Sequence, residues 1–153
     1  MYNREDASRI KHEFWTTFGR YMKPVPSSDG SKINWINYHT GIKQLYFRMD
    51  AGNNSATISI SIEHHDLQIQ TLHFKQLLEY KTFLHEILDE EWYWQLHDRT
   101  GEKTTSRIYR GISDVSVFNK EHWPDLISFF KPRIIALDKF WENAKYSFEP
   151  FRD

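Results

Sequence analysis

Residues 57–63 alternate without a break, Ile58, Ile60 and Ile62 on one parity against Thr57, Ser59, Ser61 and Glu63 on the other. Period two at this length fits one regular structure, a strand with one buried and one wet face. Residues 42–49 alternate as well, setting Leu45, Phe47 and Met49 against Gln44, Tyr46 and Arg48, and DAGNNS joins the two runs as a turn. A hairpin follows. Pairing Met49 with Ala56 sets Phe47 opposite Ile58 and Leu45 opposite Ile60, and a slip of one residue would bury the polar set.

Other periodicities place the remaining elements. Ile10, Phe14, Phe18 and Met22 fall four apart and predict a helix over 6–22, with Asp6 or Ser8 as its cap. KPVPSSDGSK stops it as a loop. KINWINYH, residues 32–39, reads as a strand, and its Asn34 and Asn37 call for backbone or ligand partners. A second helix is expected over 67–88 with Asp66 as cap, then strands over 91–97 and 105–112. The last helix, 120–146, carries Leu126, Phe130, Ile134, Leu137 and Trp141, and Pro132 within it is expected to kink or split it. Lys131, Arg133, Asp138 and Lys139 are expected to be solvated. The order α-β-β-β-α-β-β-α predicts a two-layer α+β fold, an antiparallel sheet of about five strands with three main helices on one face.

At 153 residues with no long biased segment, the chain is expected to form a single domain over 1–153. It has no cysteine, which removes disulfides, thiol catalysis and cysteine metal sites. The first residues carry charges and no apolar core of a secretory signal, and no run reaches the ~18 apolar residues of a membrane span. These readings predict a cytoplasmic protein with no membrane partner. The net charge of −1 lacks the basic excess of a non-specific nucleic-acid binder.

Familiar catalytic patterns are missing. HEFWT and HEILD begin like a zinc helix but lack the second histidine, and the adjacent His64 and His65 would point to opposite faces of a strand. Asp50 and Glu63, the tempting carboxylate pair, fall at opposite ends of the hairpin, roughly 20 Å apart. No glycine-rich phosphate loop and no serine elbow occurs. No cofactor or metal is expected, and nothing argues for catalysis. A small-molecule enzyme of unrecognised type would have to draw on Asn37, His39, His97 and Arg107.

The polar sheet face is the remaining candidate. Its expected members are Tyr46, Arg48, Tyr93, His97, Arg107 and Tyr109, with Arg110 as a third arginine. Tyrosine and arginine together can stack bases and hold phosphates, and the same pair is favoured at protein hot spots. An antiparallel sheet also has a wet face by default. A nucleic-acid partner, a protein partner and a homo-oligomer all remain open.

The strings FWTTFGRYMKP, INWINYHTGIKQLYFRMDA, SRIYRGI and HWPDLISFFKPRIIALDKFW resemble a bacterial domain of unknown function, family 4268, from about Ser8 to Trp141. Some members of that family look like tails on restriction-nuclease-like proteins. The resemblance implies an accessory, non-enzymatic module in a nucleic-acid setting, serving recognition rather than cleavage. No catalytic residue carries over from it.

Overall fold

The computed structural model describes residues 3–151. Helix α1 runs Arg4–Met22 and buries Ile10, Phe14, Phe18 and Met22 at the expected spacing. Its cap is Asn3, whose side chain accepts from Asp6 N at 2.8 Å, one turn earlier than the sequence reading placed it. The hairpin forms from β1, Leu45–Ala51, and β2, Ser55–Ile62. Its register is Leu45 with Ile62, Phe47 with Ile60 and Met49 with Ile58. The expected pairing was offset by two residues, an even shift, so every side chain keeps its predicted face.

Beyond the hairpin come α2, Leu67–Leu78, α3, Lys81–Leu88, β3, Tyr93–Asp98, β4, Thr105–Ser113, and α4, Trp123–Ala144. A 3-10 segment, Lys145–Phe151, follows α4 and buries Phe148. The sheet is fully antiparallel in the order β1-β2-β4-β3. Helix α4 packs on β1 and β2, α2 packs on β2, β3 and β4, and α1 and α3 pack against α4. The fold is therefore α+β, with four strands and four helices among the described residues where about five and three were expected.

Three differences have physical causes. Residues 32–39 are loop, not strand: Asn34 Oδ1 accepts from both Ile36 N and Asn37 N at 3.1 Å, an Asx turn that breaks extended backbone. Trp35 and Tyr38 from this loop pack over the edge of β1, where the Tyr38 ring stacks on Phe47 at 4.8 Å. The expected helix 67–88 is two helices, because a turn closed by Tyr80 N on Leu77 O at 2.9 Å redirects the chain along α4, with Tyr80 edge-on to Phe140. Pro132 does not split α4, which runs 22 residues without interruption, with the proline ring exposed.

His73 on α2 is 1% exposed, and neither ring nitrogen has a hydrogen-bond partner. It packs edge-on to Phe151 at 4.9 Å and against Phe148 at 6.0 Å, closing α2 onto the 3-10 segment. Burial, with His64 adding to it, lowers its pKa from 6.5 to about 4. The folded pKa lies below the unfolded one, so the unfolded chain takes the proton first. Stability is therefore full above pH 6.5 and falls as the pH drops toward 4. The steepest slope is about 1.4 kcal/mol per pH unit. Between pH 7 and 5 urea unfolding should show a loss of about 2 kcal/mol in the wild type. His73→Phe should flatten most of that loss, and a variant as acid-sensitive as the wild type would move the cause elsewhere.

Candidate binding surface

Register decides what shares the open face. Along one row lie Tyr46, Ser61, Arg107 and Gln95; along the next lie Arg48, Ser59, Tyr109 and Tyr93. Ser59 and Ser61 are only 6% and 3% exposed although they sit on the face that no helix covers. Long neighbours fold over them. The Arg48 guanidinium lies 4.2 Å from the Tyr46 ring centre, and that of Arg107 lies 4.4 Å from Tyr109. Tyr93 and Tyr109 stand 5.6 Å apart across the pair, with Tyr93 64% exposed.

The arginine charges are already matched. Arg48 forks onto Glu63, its Nε donating to Oε2 and its Nη2 to Oε1 at 2.9 Å, and Ser61 Oγ donates to Glu63 at 2.7 Å. Burial would push the Glu63 carboxyl up, but Arg48 and Ser61 outweigh it and hold the group below the usual range. Arg107 lies 3.6 Å from Asp98, and its buried Nε has no partner. Thr100, through its backbone and its hydroxyl, keeps Asp98 ionised below the usual range. The result is two arginine–tyrosine stacks on a serine floor, with each arginine facing a carboxylate.

Five of the seven expected residues, Tyr46, Arg48, Tyr93, Arg107 and Tyr109, meet on this face. The other two do not. His97 sits in a bulge between Gln95 and Asp98 with φ 51°, which reverses the alternation and turns its ring to α2. There its Nε2 lies 3.1 Å from both Thr71 Oγ1 and Leu67 O. Arg110 pairs with Ile58, on the parity of the core, and donates to Glu91 O at 2.9 Å from the rim. His64 and His65 lie beyond the end of β2, where alternation no longer applies, and their rings stack at 4.6 Å. Among the described residues no three His, Asp or Glu side chains are placed to hold a metal ion.

A separate cleft of about 470 Å³ opens between the 23–44 loop and α4. Asn37 and His39 line it, whereas His97 packs against α2 and Arg107 lies on the sheet. The four residues of the enzymatic reading do not converge. The cleft also holds Asp138, expected to be solvated and found 4% exposed, accepting from Tyr38 Oη at 2.6 Å and Ser28 N at 2.7 Å. Helical spacing carried that signal, because Asp138 lies four residues after Ile134 and three before Trp141, within the apolar stripe.

An uncovered Tyr–Arg sheet face backed by an aromatic helical layer defines the class, a two-layer α+β domain. The chain belongs to the family described as Domain of unknown function (DUF4268), whose model matches residues 10–145. No curated protein and no solved structure matches the chain. No helix among the described residues is long and apolar enough to cross a membrane.

Proposed function

We propose that this domain is a non-enzymatic binding module whose partner, a protein surface, docks on the open face of the sheet. The observation that carries the reading is the pair of arginine–tyrosine stacks beside an exposed Tyr93. A wet face is the default for an antiparallel sheet, and tyrosine is a favoured strand residue there. Here large flat groups are held in place before any partner arrives, which lowers the ordering cost of binding. A protein fits better than a phosphate backbone, because phosphates would have to displace Glu63 from Arg48 and Asp98 from Arg107.

The test is affinity capture from host-cell extract, with and without nuclease, using the wild type and the double variant Tyr93→Ala, Tyr109→Ala. Loss of a hot-spot aromatic costs about 2 kcal/mol, so a genuine partner should be retained at least tenfold less well by the variant. Sedimentation of the purified protein covers the case in which the partner is a second copy. Equal retention by both proteins would remove the open face from consideration. Retention that nuclease abolishes would replace a protein partner by nucleic acid.

A further inference from the structure

Two buried polar side chains stand one turn apart on α2 and are accommodated in opposite ways. Gln70 is bonded throughout: its amide donates to His64 O and Thr104 O at 2.7 Å, and its carbonyl accepts from Ser106 Oγ at 2.8 Å. His73 is buried just as deeply, and among the described residues no partner reaches either ring nitrogen. A phenylalanine of similar shape would fill the place without two unmade hydrogen bonds.

What lies against the imidazole is one short stretch of chain. Phe148 and Phe151 both belong to the seven-residue 3-10 segment that follows α4. That segment packs on α2 and α4. Its Lys145 and Ser147 side chains bond locally, to Glu142 Oε2 at 3.2 Å and Ala144 O at 2.8 Å. Its aromatic anchors are Phe148 on Trp141 at 5.1 Å and both phenylalanines on His73.

Charged neighbours do not supply a counter-ion. Strand β2 has no titratable side chain. On β3, His97 turns to Thr71 and Leu67, and Asp98 turns to Thr100 and Arg107. Tyr93, Arg107 and Tyr109 lie on the open face of the sheet, and Arg110 reaches Glu91 O. Lys75, Tyr146 and Glu149 are exposed. The charge that acts on the His73 ring is that of His64, which has the same sign.

We propose that the 3-10 segment is an acid-released strap: protonation of His73 lifts it from α2 while the rest of the domain stays folded, uncovering Phe148, Phe151 and a flank of Trp141. An imidazolium needs an acceptor at both nitrogens, and only lifting the segment brings water to them. Burial holds the pKa at about 4 against the ordinary 6.5. The released form takes the proton first, so docking is at full strength above pH 6.5 and weakens as the pH falls toward 4. From pH 7.5 to 5 the ratio of released to docked chains should rise about thirtyfold. Global unfolding gains by the same factor but must also open the sheet and the helical layer, so the strap goes first. It shares no residue with the open sheet face and does not depend on the binding proposed there.

Amide hydrogen exchange followed by NMR on the intact protein, corrected for the intrinsic rate at each pH, tests the strap. Amides of residues 147–151 should be protected at least tenfold less than those of β2 at every pH, and their protection should fall about thirtyfold between pH 7.5 and 5. The His73 ring signals should titrate well below pH 6.5. His73→Phe should remove most of the fall in protection. Phe151→Ala, at a half-buried position, should loosen the segment about tenfold at pH 7.5 and keep the β2 amides the better protected. Equal protection of the segment and β2 would show that the segment leaves only with the whole fold, and the proposal would be overturned. It would be overturned as well by a His73 ring that titrates near 6.5 with the segment still protected. The same holds for a His73→Phe protein whose segment loosens in acid like the wild type, or for a Phe151→Ala segment protected as in the wild type.

Discussion

Phe130→Ala is expected to destabilise the domain by about 4 kcal/mol, close to the upper end for a buried aromatic. Phe130 is fully buried on α4 and is ringed by Phe129 at 5.2 Å, Trp15 at 5.3 Å, Phe18 at 6.0 Å and Phe14 at 6.4 Å. Three of those rings belong to α1. Truncation therefore opens a cavity at the seam that fixes α1 to the rest, and neighbouring rings cannot collapse into it without leaving their own contacts. The urea midpoint should drop by about 2 M, with tryptophan emission shifting red as Trp15 gains water. Phe130→Leu, which keeps most of the volume, should cost about 1.5 kcal/mol. Equal losses from both variants would mean that volume at this seam is not what holds α1.

Asp138→Ala should cost about 3 kcal/mol, for a different reason. The carboxylate ties the 23–44 loop to α4 through Tyr38 Oη and Ser28 N, bonds that span 100 and 110 residues of chain. Burial, reinforced by Asp138, raises the pKa of the Tyr38 phenol well above its ordinary value, so the hydroxyl stays a donor throughout the working range. Hydrogen bonds to a charged acceptor are worth about 1.5–3 kcal/mol each, less what the buried charge costs in desolvation. Tyr38→Phe removes one of the two and should cost about half as much. Hydrogen exchange locates the damage: amides of the 23–44 loop should open in both variants while the β1–β2 hairpin stays protected. A stable Asp138→Ala protein with a protected loop would show that Trp35, Ile42 and their packing suffice.

Legibility followed the length of the periodic signal. The Ile58, Ile60, Ile62 run and the Ile10 to Met22 stripe each repeat enough times to define a face, and both faces are where the spacing put them. Register along the hairpin was not readable, because any even offset satisfies the same alternation. The 32–39 segment misled because Ile33, Trp35 and Tyr38 are apolar for loop packing, and one Asx turn outweighs a short stretch of strand-like residues. His97 was lost to a bulge, a backbone event without a glycine to announce it. Arg110 was recoverable, since it differs in parity from Tyr109.

That bulge in β3 also shapes an outer edge of the sheet. β3 is an outer strand, and regular pairing with β4 holds only for residues 93–95 before the register shifts. A six-residue outer strand bent by a bulge is a poor template for a further strand. The sheet's two outer strands are therefore unequal: β1 runs regularly over seven residues, whereas β3 is broken by its bulge and disfavours strand addition on its side.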